Sequence, residues 1–237
     1  MRRPDTVMVL AAGFGVRMGA LTRDRPKPLL PLGARCLIDH VLDLAVDAGV
    51  RRAVVNLHYR GDQIREHLAA RSEPLILFSE ERPDILDTGG GMARARPLLG
   101  EDPVYVANSD AVFIGSNPFR ALADAWSVID CDALMLLVPR GKAHAHVRPG
   151  DFSLASSGVP VRRGAAPAAP LVHTGAQIMA PRALDGTPEG AFSMNLVWDR
   201  LLAAGRLRAV VHAGDWVDVG APEGLAAARA LLTEAAP

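Results

Sequence analysis

The 237-residue chain is poor in the features that mark several functional classes. Its net charge is zero, with 26 basic and 26 acidic side chains, so no bulk field draws it to nucleic acid or to an anionic membrane. Aromatic residues make up only 5%, too few for the stacking platforms that hold single strands. The two cysteines, Cys36 and Cys131, lack metal or redox spacing and read as reduced core thiols. No apolar stretch approaches the ~20 residues needed to span a bilayer. Arg2 and Arg3 precede an apolar run, but it covers only residues 6–12 and has Asp5 beside it. Arg17 stands where a small-residue cleavage site belongs, so a first strand is expected in place of a signal peptide, in a soluble, cytoplasmic protein. Two phosphate-binding motifs are also missing. No lysine follows Gly13, Gly15 or Gly19, which excludes the P-loop, and the third glycine of a dinucleotide fingerprint is replaced by Met18.

What is present centres on residues 7–32. The run Val7-Met8-Val9-Leu10-Ala11-Ala12 carries no charge and reads as a buried strand of a parallel sheet. It stops at Gly13 and Gly15, where the backbone can turn and approach a ligand without a Cβ in the way. Two cations follow, Arg17 and Lys27. Lys27 lies within Pro26-Lys27-Pro28, whose prolines stiffen the segment that presents its ammonium. Glycines, exposed amides and two positive charges past a strand end describe a pocket for a polyanion, most naturally a nucleoside triphosphate. The simpler alternative is a glycine-rich turn with two solvated cations; the Pro-Lys-Pro string moves the balance toward the pocket.

Helices are expected over residues 36–48, closed by Gly49, and from Gly61-Asp62 to about 70, with Asp62 as N-cap. Strands are expected over 53–57, 75–78 and 104–108. The alternation is that of an α/β sheet with parallel pairing, and the length suits one domain with an elaboration. Further on, the pattern gives a helix over 117–127, a strand over 133–138, a loop over 164–170 and a strand over 172–179. Helices over 193–204 and 222–232 complete it. Asp87-Thr88-Gly89-Gly90-Gly91 precedes a helix over 92–99, and three glycines there suggest either close approach of something bulky or a flexible helix entry.

Asn108-Ser109-Asp110 falls beyond the carboxyl end of a strand, where ligands gather in open α/β sheets, although the same triplet is ordinary turn chemistry. Asp218 interrupts the apolar run Trp216-Val217-Asp218-Val219. A carboxylate buried there would need a cation or a metal, unless it points outward from an edge strand. His144 and His146, in a loop over 140–150 with Lys142 and Arg148, have no neighbouring acidic or cysteine partner; they read as a mobile surface loop, or as contacts to a sugar phosphate. Gly175 in the strand over 172–179 suggests close approach of a group in a pocket.

The string Gly13-x-Gly15-x-Arg17-Met18 … Pro26-Lys27-Pro28-Leu29 resembles the signature of the sugar-1-phosphate nucleotidyltransferases, and the likeness runs through most of the chain. It implies a three-layer α/β/α, Rossmann-like and GT-A-like fold with a mixed, mainly parallel sheet. A nucleotide-binding part would span about 1–115 and a sugar-binding part about 116–220. It implies Mg²⁺-dependent transfer of a nucleotidyl group from a nucleoside triphosphate to a sugar 1-phosphate. UTP and N-acetylmuramate 1-phosphate are the favoured pair, as in cell-wall sugar recycling; mannose-1-phosphate guanylyl transfer, cytidylyl transfer or a non-catalytic nucleotide-binding module are the alternatives. By this likeness Arg17 and Lys27 are catalytic. Ala11, Ala12, Gly13, Gly15, Arg17, Lys27, Gly89, Gly90 and Asn108 bind the nucleotide, Asn108 and Gly175 the sugar, and Asp110 and Asp218 the metal. Glu80 corresponds to an acidic residue near the base. Three departures stand out: Gly19-Ala20 precedes Leu21-Thr22 where a proline is frequent, Ser109 replaces a usual glycine, and the Glu-Lys-Pro string whose lysine holds the sugar phosphate is missing.

Overall fold

A computed structural model describes residues 3–234; Arg2, one of the two cations ahead of the first strand, lies outside them. The first half runs β1 (Thr6–Leu10), a small hairpin of β2 (Pro31–Leu32) and β3 (Arg35–Cys36), α1 (Leu37–Asp47), β4 (Arg52–Leu57), α2 (Gly61–Leu68), β5 (Leu75–Glu80), α3 (Asp87–Leu99) and β6 (Val104–Asn108). The second half runs β7 (Ala111–Ile114), α4 (Pro118–Trp126), β8 (Ala133–Pro139), β9 (Ala143–His144), β10 (Phe152–Leu154), β11 (Pro160–Arg162) and β12 (Leu171–Met179). It ends with α5 (Met194–Ala203), β13 (Leu207–Val211), β14 (Asp215–Asp218) and α6 (Pro222–Glu234).

Nine strands form the central sheet, in the order β11-β10-β12-β6-β1-β4-β5, with β8 paired to β12 and β13 to β8. β1 pairs in parallel with both β4 and β6, and β5 extends the parallel half. β12 turns the sheet antiparallel against β6. Alternation along β1 explains the layers. Val7 and Val9 join Ile38, Ile64 and Phe119 of α1, α2 and α4 on one face, while Met8 joins Met92 and Val197 of α3 and α5 on the other. A strand covered on both faces has no polar side to show, which is why residues 7–12 are continuously apolar.

A second sheet of β7, β14 and β9 stands beside the first and shapes the site. β14 runs antiparallel to β7, with Asp218 opposite Ala111, so the carboxylate of β14 arrives next to Asp110. β9 adds in parallel to the other edge of β14.

Several elements differ from the sequence expectation. α3 begins at Asp87, so Gly89, Gly90 and Gly91 lie inside the helix, not before it. Arg60, at φ 51°, occupies the N-cap of α2, and Asp62 falls in the first turn, where its charge meets the positive end of the helix. β10, β11 and β13 were not expected. The first two are three residues each, too short to show a period.

Candidate active site

A cleft of about 440 Å³ opens beyond the carboxyl ends of β1, β4, β5 and β6, bordered by the loop from Leu10 to Arg17 together with Lys27 and Asp110. Ala11 and Ala12 form its buried floor. Gly15 adopts φ +65°, and a Cβ there would stand 3.0 Å from Lys27 Cβ and 3.1 Å from Thr22 Cγ2, so the loop folds tightly over the Pro-Lys-Pro segment. Thr22 Oγ1 donates to the Gly15 carbonyl at 3.0 Å and holds that fold. A Cβ at Gly13, by contrast, would meet nothing within 4 Å, which leaves this stretch of backbone open toward the cleft.

The Lys27 ammonium is ion-paired with Asp110, and the two side chains are only 13% and 25% exposed. Lys27 is therefore a half-enclosed, compensated charge. Arg17 borders the same cleft. Its guanidinium lies so near Gly220 that a Cβ there would stand 2.8 Å from Nη1 and 2.9 Å from Asp218 Oδ1. The sequence-predicted quartet of Arg17, Lys27, Asp110 and Asp218 thus converges. Arg17 and Asp110 border both this cleft and a second cavity of about 290 Å³, which Asp218 borders too. Ser109, at the usual glycine position, has φ outside the left-handed region and donates its amide to the Leu10 carbonyl at 3.1 Å, so a side chain fits there.

Asp218 is held by His146, whose Nδ1 donates to Oδ2 at 3.0 Å. Burial pushes the Asp218 carboxyl up, but the His146 hydrogen bond and the charges of His146, Arg17 and Lys27 outweigh it and keep the group below the usual carboxylate range. The outward-pointing alternative for Asp218 does not hold. Nor is His146 part of a mobile surface loop: its side chain is 7% exposed, and His144, on β9, bonds Asp215 at 2.8 Å. Pairing of β9 with β14 brings both histidines to carboxylates about 70 residues away, which local spacing does not reveal.

Asn108 borders both cavities. Gly175, at φ +80° beside a register shift in β12, leaves room for it; a Cβ there would overlap Asn108 Nδ2 at 2.4 Å. The approaching group is a protein side chain. Gly89 and Gly90 are likewise occupied by protein. A Cβ would stand 2.4 Å from Phe192 Cε2 at the first and 2.3 Å from the Gly190 carbonyl oxygen at the second, and both amides donate to the Phe192 carbonyl. These glycines let α3 pack against residues 190–192, and the cleft wall there is made by Asp87 and Thr88 instead.

Sequence reading missed a buried network. Asn56 Oδ1 accepts from the Ala11 amide at 2.6 Å, Asn56 Nδ2 donates to Glu81 Oε1 at 2.6 Å, and Glu81 Oε2 accepts from the Leu86 amide at 2.8 Å. Glu81 is fully buried and borders the cleft. Its neighbour Glu80 points away and pairs with Arg65 and Arg82. Cys36, Asp39 and His67 bring their donor atoms within 4.8 Å of one another. Asp39 is already engaged there, accepting from the Cys36 amide at 3.0 Å and lying 3.6 Å from the Arg71 guanidinium, so the group caps α1. Cys131 is buried, and Cys36, at the start of α1, is partly so.

Over residues 7–166 the chain matches the MobA-like NTP transferase domain family. It is 42% identical to the N-acetylmuramate alpha-1-phosphate uridylyltransferase of Caulobacter vibrioides, over 98% of both chains. It is 34% identical to the protein of the same name from Neisseria meningitidis serogroup B, over 94% of this chain and 96% of that one. Among solved structures, UDP-glucose pyrophosphorylase complexed with UDP-glucose has the same fold, with a TM-score of 0.80 at 16% identity over 98% of this chain and 99% of the other. No helix among the described residues is long and apolar enough to cross a membrane. The chain belongs to the MobA-like NTP transferase domain family, among the sugar-1-phosphate nucleotidyltransferases.

Proposed function

We propose that this nucleotidyltransferase uses UTP and N-acetylmuramate 1-phosphate. The triphosphate would occupy the cleft bordered largely by residues 10–110, and the acceptor the second cavity, bordered largely by residues 116–220. The observation that carries the reading is the shared wall of the two cavities, where Asp110 and Asp218 meet Arg17 and Lys27. The two near-full-length relatives support the choice of substrates.

In this reading an oxygen of the acceptor's phosphate attacks the α-phosphorus in line. The bond from that phosphorus to the bridging oxygen of the β-phosphate breaks, and pyrophosphate leaves. The nucleophile is already ionised, so the chain needs no general base; its work is positioning and charge neutralisation. The open backbone at Gly13 offers its amide to the phosphates, and the tight turn at Gly15 brings the loop over them. Arg17 neutralises the departing β,γ-phosphates, and Lys27 the charge growing at the α-phosphoryl group. The base rests against Asn56 and the first turn of α3, with Asn108 between nucleotide and sugar. Asp110, in the turn between β6 and β7, and Asp218, at the end of β14, form a hard-oxygen donor set that fits Mg²⁺, so these two carboxylates would hold the ion. Bound there, it would withdraw charge from the phosphate oxygens.

A matrix of triphosphates (UTP, GTP, CTP) against sugar 1-phosphates, read by pyrophosphate release with and without Mg²⁺, tests the assignment. UTP with N-acetylmuramate 1-phosphate should give the highest kcat/KM. A higher value for GTP with mannose 1-phosphate would replace the substrate pair, and triphosphate binding without turnover on any acceptor would end the catalytic reading.

A further inference from the structure

Three arginines border the second cavity: Arg17, Arg148 and Arg162. Arg17 is shared with the triphosphate cleft and lies between Gly220 on that side and Asp218. Arg162 is already engaged, with Nε on Asp199 Oδ1 at 2.6 Å and Nη1 on Asn195 Oδ1 at 3.0 Å, its guanidinium 5.4 Å from the Phe152 ring centre. Arg148 is different. It is exposed, and among the described residues neither an ion pair nor a hydrogen bond holds its guanidinium.

Two residues that border the same cavity carry polar hydrogens for which the protein supplies no partner. Gly175 donates its amide to His173 Nδ1 at 3.3 Å, which leaves the ring proton on Nε2; that buried N–H has no partner in the protein. Trp216 Nε1, on a residue that borders the same cavity, is also buried without a partner. Asp151, a carboxylate on this wall, is committed to the His173 amide at 3.0 Å.

We infer that Arg148 reads a carboxylate carried on the acceptor sugar itself, apart from its phosphate. This rests on the reading of the second cavity as the acceptor site, and it makes Arg148 a residue that sets acceptor class. N-acetylmuramate is an amino sugar bearing a lactyl ether, so its 1-phosphate has two anionic groups where a neutral hexose 1-phosphate has one. An unpartnered guanidinium can take a carboxylate through two parallel N–H bonds. Selection against the neutral sugar follows, because without the carboxylate the arginine gains no partner.

The experiment compares N-acetylmuramate 1-phosphate with N-acetylglucosamine 1-phosphate, the same sugar and phosphate without the lactyl group. Both are assayed with UTP, as substrates or, where turnover is too slow, as competing inhibitors. Arg148→Ala should lower kcat/KM for the lactyl-bearing acceptor by about 10-fold, mainly through KM, and leave the other acceptor unchanged. Arg148→Lys should restore part of the difference. Equal losses on both acceptors would overturn the inference, because Arg148 would then serve the common phosphate; so would the absence of any loss. Failure of the unmutated enzyme to uridylylate N-acetylmuramate 1-phosphate would overturn the substrate reading itself, and is seen before any variant is compared.

Discussion

Gly220→Ala is the most direct test of the convergence at the heart of the site. The position has an ordinary φ, so alanine can adopt its backbone. The new methyl, however, would stand 2.8 Å from Arg17 Nη1 and 2.9 Å from Asp218 Oδ1. Ordinary contact is about 3.5 Å, so the guanidinium and the carboxylate must each retreat by roughly half an ångström. Both atoms end flexible side chains and the backbone need not move. Stability should therefore fall by only about 1 kcal/mol, the low end of overpacking, or roughly 2–4 °C in Tm for a chain of this size. Activity should fall much further, because misplacing reacting groups by about 1 Å costs on the order of 10²-fold. The expected loss is about 10- to 100-fold in kcat/KM, read by pyrophosphate release on protein whose Tm is measured in parallel. A variant within about threefold of the parent enzyme would refute the reasoning, as would a loss that merely tracks unfolding.

Lys27→Ala should cost about 10²- to 10³-fold in kcat. Because Lys27 is enclosed and paired with Asp110, it should also cost about 1–3 kcal/mol in urea denaturation; near-parental turnover would remove Lys27 from the mechanism. Asp110→Asn should abolish Mg²⁺-supported pyrophosphate release, and full activity in that variant would end its assignment to the metal. Burial holds the His173 imidazole at about 4, below its ordinary 6.5. Between those values the unfolded chain binds the extra proton, so stability should fall as pH drops from 6.5 toward 4. His173→Gln should flatten that slope in urea titrations, and an unchanged slope would show the ring titrates normally. Asn56→Ala leaves the Ala11 amide and Glu81 Oε1 buried without their partner, and a loss of about 2–4 kcal/mol is expected from calorimetry; a change below about 0.5 kcal/mol would mean the network is dispensable.

Residues whose work depends on one strand and its end were legible in the sequence. β1 is continuously apolar because helices cover both its faces, and Asp110 sits just past β6, where the sheet's topology puts ligands. Asp218 was found by a physical test: a charged group inside an apolar run needs a partner. The same test, extended to amides, marks Asn56 in Ala53-Val54-Val55-Asn56-Leu57, which is 3% exposed and satisfied on both sides. Glu81 was lost by one position. In a strand a single step reverses the face, and likeness by position chose Glu80 where burial chose its neighbour. The triple glycine of α3 misled for a different reason. Gly89 and Gly90 make room for residues 190–192, a hundred positions downstream, and Gly91 for Asn56 and Glu81; a tight approach looks the same in sequence whether a nucleobase or a polypeptide causes it. His146 belongs with it, since its partner arrives only when β9 pairs with β14. What sequence hides, then, is the far partner, and that is the strongest reason to attend to Arg148. It is an exposed cation at the second cavity to which folding brings no partner among the described residues, so its guanidinium is free to meet a ligand there.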